Sequence, residues 1–215
     1  MLAPDLRGHG RSSYDRPWDI ETHVADVLET VDDQRAAWIG HSFGGRLLLE
    51  IAARSPALVD RAVLLDPAIH VPPDVAAQLA AGERQDRSFS SVGEAIAKRI
   101  ELTPLYGAPR ELLEEEMSEH LVQSADGRFR YRYNQETVAV AYEEMARVPP
   151  PFEQARVPTL LVVADRSKLV SAAEDERYRE ALGDLLEVVA VPGGHIVLWD
   201  AFEESSAAIE RFLSS

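Results

Sequence analysis

Gly40-His41-Ser42-Phe43-Gly44 is the segment whose residue types and spacing most directly permit chemistry. It fits G-x-S-x-G. Before it lies Ala36-Ala37-Trp38-Ile39, read as a short buried strand; after it Phe43 to Arg54 reads as a helix stopped near Ser55-Pro56. A strand-to-helix turn this tight crowds the backbone around Ser42, so its glycine neighbours are expected to be needed for their missing Cβ. The turn lifts the hydroxyl clear of the sheet and sets it at a helix N-terminus. There the Phe43 N–H can donate to a developing oxyanion. The plainer alternative, a glycine turn with a capping serine, is less favoured because both flanking elements are in place.

A serine hydroxyl is a poor nucleophile until a base takes its proton, and imidazole titrates near neutral pH. Of six histidines, only His195, in Gly193-Gly194-His195, follows a strand in a flexible loop late in the chain. His41 is expected to pack beside the elbow and His9 to sit in a loop bordering the site. His23, His70 and His120 read most simply as residues of helices or of an inserted helical segment.

The elements that must position these groups alternate short apolar runs with amphipathic stretches, as in a parallel sheet flanked by helices. From Asp19 to Asp33, Ile20, Val24, Val27, Leu28 and Val31 fall at helical spacing. Ala62 to Leu65 is the next strand, closed by Asp66-Pro67, and two more strands are expected at Thr159–Val163 and Leu185–Val189. Between those two a helix is expected to open on a capping box from Ser171 to Glu174. A last helix, from Ala201 to Leu213, carries Phe202, Ile209 and Leu213 along one face. The stretch from His70 to Arg156 reads instead as several helices separated by Pro72-Pro73, Pro104, Pro109 and Asp126-Gly127. It has a stripe of Leu112, Leu113, Met117 and Leu121, and one possible strand at Phe129–Tyr133. The expected organisation is a core in two parts, 1–69 and 156–215, with a helical cap, 70–155, inserted between them.

Bulk composition narrows the function. The 215 residues carry a formal charge of −15, which argues against a nucleic-acid partner, since phosphate affinity comes mainly from Lys and Arg. There is no cysteine, so disulfides, thiolate metal sites and a cysteine nucleophile are excluded together. No apolar run reaches the ~18 residues that span a bilayer, and no signal-peptide pattern opens the chain. A cytoplasmic protein with no membrane partner is expected.

Taken together, the elbow, Asp5-Leu6-Arg7-Gly8-His9-Gly10-Arg11-Ser12 and Gly193-Gly194-His195 resemble the α/β-hydrolase superfamily. The second segment resembles the loop after the family's fourth strand, the third the loop that carries its catalytic histidine. The resemblance lies at both ends of the chain and is weak in the insertion. It implies Ser42 as nucleophile, His195 as general base, Phe43 as oxyanion donor, and an acid between them in chain order. It implies no cofactor and no metal.

The acid of this family usually follows the strand represented by Thr159–Val163. Here the two usual alignments fall on Ser167 and Lys168, neither a carboxylate. A known variation places the acid at the end of the preceding strand, which is Asp66. Asp66 is therefore favoured, with Asp165 as the alternative and the absence of any acid as a third case. The family's sheet also begins with three strands before the Asp5–Gly10 loop, and this chain shows none; Met1 falls inside the expected fourth strand. The loop after the third strand normally supplies a second oxyanion donor, an interaction worth roughly 2.7–4 kcal/mol. A start upstream of Met1 is the preferred explanation over an inactive truncated chain.

The expected function is a serine hydrolase acting on an ester, lactone or similar acyl bond of a small molecule. Phe129, Tyr131 and Tyr133 are candidates to line its pocket or to fill the cap core. Carbon–carbon bond hydrolysis, lyase or peroxidase-like chemistry with the same triad is the alternative within the fold. A non-catalytic binding protein is the alternative outside it.

Overall fold

The computed structural model describes residues 1–32, 34–101 and 110–215. Pro104 and Pro109, expected to separate helices, lie outside the described residues, as does Asp33. Residues 1–19 form no strand; the one backbone bridge they make is between His9 and Tyr133.

Four parallel strands form the sheet, in the order β1-β2-β5-β6, with β1 Ala36–His41, β2 Val59–Leu65, β5 Thr159–Ala164 and β6 Leu186–Val191. The middle strands are the most apolar because both of their faces are covered. Side chains alternate across the sheet with the period of two that a strand imposes. Ala62, Leu64 and Leu161 pack on helix α2, Phe43–Arg54, through Leu48 and Ile51, and on α1, Ile20–Thr30. Val63, Leu65, Leu160 and Val162 face the other way, toward Ala208 and Phe212 of the C-terminal helix Phe202–Ser214. Each buried Val, Leu, Ile or Phe side chain among these stabilises the fold by ~1.5–3 kcal/mol relative to exposure.

Between β2 and β5 lies the inserted segment. It holds α3 Pro73–Glu83, α4 Val92–Glu101, α5 Arg110–His120, a two-stranded antiparallel ribbon of β3 Leu121–Gln123 and β4 Phe129–Tyr131, and α6 Gln135–Met145. One guanidinium fastens both ends of this insertion to the elbow helix. Arg46, 1% exposed, pairs with Glu50 one turn along α2 and donates to the carbonyls of Ile69 at 2.7 Å and Arg147 at 3.1 Å.

Several expectations are corrected. The strand before the elbow is not buried: β1 is an edge strand among the described residues, and Ile39 is 49% exposed. In α5, Leu113 and Met117, four residues apart, are buried on one face; Leu112, adjacent to Leu113 in sequence, faces outward, and Leu121 has already left the helix for β3. On the last helix the buried face is Ser205, Ala208 and Phe212, while Phe202 and Leu213 are exposed. The stripe spaced three and four residues apart around Phe212 meets the sheet. The capping box at Ser171 and Glu174 is formed as expected, opening α7, Ala172–Leu182.

Candidate active site

The elbow is a backbone construction first. Ser42 takes φ 54° and ψ −119°, a region that a residue with a side chain occupies only when its surroundings impose it. Here they do. Its N–H donates to Leu65 O at 3.2 Å, and its carbonyl accepts from Gly45 N–H at 2.9 Å and Ala68 N–H at 3.1 Å. The glycine requirement differs from expectation. A Cβ on Gly40 would lie 2.3 Å from the carbonyl oxygen of Gly44, and one on Gly45 would lie 2.5 Å from Pro67 Cβ. Gly44 itself has open space. The elbow therefore needs glycine at positions 40 and 45, where backbone meets backbone and helix α2 meets the chain after β2.

This turn presents the hydroxyl to His195. Ser42 Oγ lies 2.9 Å from His195 Nε2, and His195 Nδ1 lies 2.7 Å from Asp66 Oδ2. A carboxylate only accepts, so Nδ1 carries the proton and the neutral ring leaves Nε2 free to accept from the serine. Asp66 is 0% exposed and immediately follows β2, with φ 39°. Its Oδ1 accepts from the Ala164 N–H at 3.3 Å, and its own N–H donates to Val162 O at 2.8 Å. The sheet register sets that placement: Leu65 sits opposite Val162, so the residue after β2 emerges beside the last residues of β5. Phe43 is the first residue of α2, and its N–H has no acceptor inside the helix.

Ser42, His195 and Asp66 are brought together; Asp165 is not in contact with the imidazole. Asp165 Oδ1 instead accepts from Gly193 N–H at 2.9 Å, two residues before His195. Asp200 accepts from Gly194 N–H. His41, next to Ser42, donates from Nε2 to the carbonyl of His195 at 2.8 Å, with ring centroids 4.6 Å apart. Burial, and then the neighbouring His195, push His41 below the ordinary histidine range. The roles of Asp165 and Asp200 are absent from the motif reading, because each works through a backbone N–H that any residue but proline supplies. The one sequence signal is Gly193, at φ 120°, where a Cβ would fall 2.4 Å from Asp200 Cβ.

The other histidines take structural places. His23 is buried on α1 with its ring edge-on to Phe43, and burial lowers its pKa. His9 stacks on Tyr133 and is lowered by the same cause. His70 and His120 are exposed. Of the aromatics expected to line a pocket, Tyr131 and Tyr133 border a cavity of about 1050 Å³ between the insertion and the loop at His9. Ser42 and His195 are not on its wall, and Phe129 packs instead with Phe89 and Met117. Among the described residues no cluster of three or more His, Asp or Glu side chains is arranged to hold a metal ion. None of the described helices is long and apolar enough to cross a membrane.

Known proteins share this arrangement of elements. Lipase LipV of Mycobacterium tuberculosis strain H37Rv is 34% identical over 213 residues, covering 92% of this chain and 77% of the lipase. The sn-1-specific diacylglycerol lipase ABHD11 of Xenopus laevis is 27% identical across 100% of this chain and 70% of its own length. Among solved structures, E-2-(acetamidomethylene)succinate hydrolase superposes with a TM-score of 0.85 at 25% identity, over 98% of this chain and 80% of that one. The family model for the alpha/beta hydrolase fold matches residues 1–202, and the chain belongs to that family.

Proposed function

We propose that this hydrolase cleaves an ester-type acyl bond of a small molecule through an acyl-enzyme on Ser42. The observation that carries the reading is the unbroken chain of hydrogen bonds from Ser42 Oγ through the His195 ring to the buried Asp66, 2.9 and 2.7 Å long. In the first half-reaction Ser42 Oγ attacks the substrate carbonyl carbon while His195 Nε2 takes the hydroxyl proton. The resulting imidazolium is stabilised by Asp66, which also keeps Nδ1 as the donor and so fixes the tautomer. The carbonyl oxygen gathers negative charge and is met by the Phe43 N–H at the positive end of α2. Collapse of the tetrahedral intermediate expels the alcohol or enol, which leaves with the proton from Nε2. Water then repeats the sequence on the acyl-enzyme and frees Ser42. In this reading residues 1–69 and 156–215 form the catalytic core, and residues 70–155 serve as the cap beside it.

The relatives named above are two lipases and a hydrolase of E-2-(acetamidomethylene)succinate, so they support hydrolysis and not one acyl group. The test is hydrolysis of p-nitrophenyl acetate and butyrate, with labelling by a fluorophosphonate. Ser42→Ala is expected to abolish both hydrolysis and labelling. Turnover that survives Ser42→Ala, or a folded wild type that neither hydrolyses nor labels, defeats the proposal.

A further inference from the structure

The loop that carries His195 is short, runs Pro192-Gly193-Gly194-His195 after β6 and lies outside regular secondary structure. Nothing in its own sequence fixes where the imidazole points. Asp66 and Ser42 bond the ring itself, and side chains from three other places bond the backbone of the loop. Asp165, just past β5, takes the Gly193 N–H at 2.9 Å, and the next residue, Arg166, gives its N–H to the Gly193 carbonyl at 3.0 Å. Asp200 takes the Gly194 N–H. At the far end His41, the last residue of β1, gives its Nε2 proton to the His195 carbonyl at 2.8 Å. The carbonyl can only accept, so this bond fixes which His41 nitrogen bears the proton. It also ties the residue before the nucleophile to the backbone of the base.

We infer that Asp165 and His41 are positioning residues that hold the Gly193–His195 loop from its two ends and so set the distance between His195 Nε2 and Ser42 Oγ. The inference rests on the Ser42–His195 reading above. It assigns Asp165 a task other than that of triad acid. A triad acid must be ionised to stabilise the imidazolium, whereas a loop holder needs only an acceptor oxygen, which an amide also has.

That difference makes the conservative variants decisive. Asp165→Asn keeps the acceptor for Gly193 and is expected to hold kcat within about threefold of wild type. Asp165→Ala, without it, is expected to lose about tenfold in kcat at unchanged KM, the scale set by sub-ångström misplacement of a catalytic group. His41→Gln keeps a donor near the Nε2 position and is expected to rescue most of a similar loss seen in His41→Leu. Amide hydrogen exchange at Gly193 gives a readout independent of turnover: protected in wild type and Asp165→Asn, fast in Asp165→Ala. If Asp165→Asn is as damaging as Asp165→Ala, or His41→Gln as damaging as His41→Leu, the positioning role is overturned. An unprotected Gly193 amide in wild type overturns it as well. A wild type without Ser42-dependent hydrolysis defeats the functional reading instead, and Gly193 exchange then decides the clamp by itself.

Discussion

Two neighbouring parallel strands, β2 and β5, are each followed directly by an aspartate, and the two carboxylates reach the same loop by different routes. Asp66 is wholly buried, bonded through one oxygen to the Ala164 N–H and through the other to the His195 ring. Asp165 is exposed and touches only backbone, at Gly193. The side chains are chemically identical, and their difference in burial separates their surroundings. Where no water competes, a carboxylate with one oxygen already committed offers the imidazole a single, strongly held acceptor. At the surface the same group orders a loop and carries little electrostatic weight, because solvent screens it. The same contrast of depth recurs in the ion pairs: Arg46–Glu50 is buried beside the elbow, while Arg84 meets Glu136 and Glu143 on the surface of the insertion.

The sharpest way to break this comparison is to replace Asp66. Asp66→Asn preserves shape but offers the ring an amide that can donate, favouring the wrong tautomer. It is expected to lower kcat by about 10⁴-fold, the loss recorded for the equivalent change in the serine protease that serves as the reference case. A loss of less than about tenfold in steady-state hydrolysis would equate the two strand ends and overturn the role proposed for Asp66.

Depth should also order the ion pairs. Arg46→Met leaves Glu50 buried with only Arg54 as a charged partner and strips donors from the carbonyls of Ile69 and Arg147. Breaking a buried pair in this way costs ~3–5 kcal/mol. Arg84→Met removes exposed pairs and should cost under ~1 kcal/mol. Urea unfolding of both variants checks the ranking, and equal costs would show that burial does not govern these interactions.

The smallest effect concerns protons. His9, His23 and His41 are each held below the ordinary histidine range, burial being the leading cause in all three. In the unfolded chain they protonate near pH 6.5, so below that value the unfolded state binds more protons than the folded one. Stability is therefore expected to fall as pH drops through about 6.5, at up to ~1.4 kcal/mol per pH unit for each histidine, until the folded-state values are reached. Unfolding free energies at pH 7.5, 6.5 and 5.5 measure this. Replacing His23 by Gln should flatten the slope by one histidine's share, and an unchanged slope would mean that burial does not keep that ring neutral.

Much of the site was legible in local sequence. Gly40-His41-Ser42-Phe43-Gly44 between a strand and a helix needs only short-range sterics to be read as an elbow, and the chain order of Ser42 and His195 follows from the resemblance to a known fold. Burial was less legible. Ala36–Ile39 is apolar enough to suggest an interior strand, yet β1 lies at an edge of the sheet formed by the described residues, since apolar composition does not report how many neighbours a strand has. Phe202 and Leu213 suggested a buried stripe that belongs instead to Ala208 and Phe212, because the rotation of a helix is settled by the sheet beneath it.

The sequence by itself determined the chemical inventory: one serine on a glycine turn, one histidine late in a loop, two strand-end aspartates and no thiol. Only the tertiary structure decided which aspartate meets the ring. The register of β2 against β5 places Asp66 inside and beside Ala164, while Asp165 emerges past the sheet beside Gly193. Strand register and depth come from packing across nearly a hundred residues of intervening chain. No local pattern encodes them, because a carboxylate's role depends on which donors and how much water surround it.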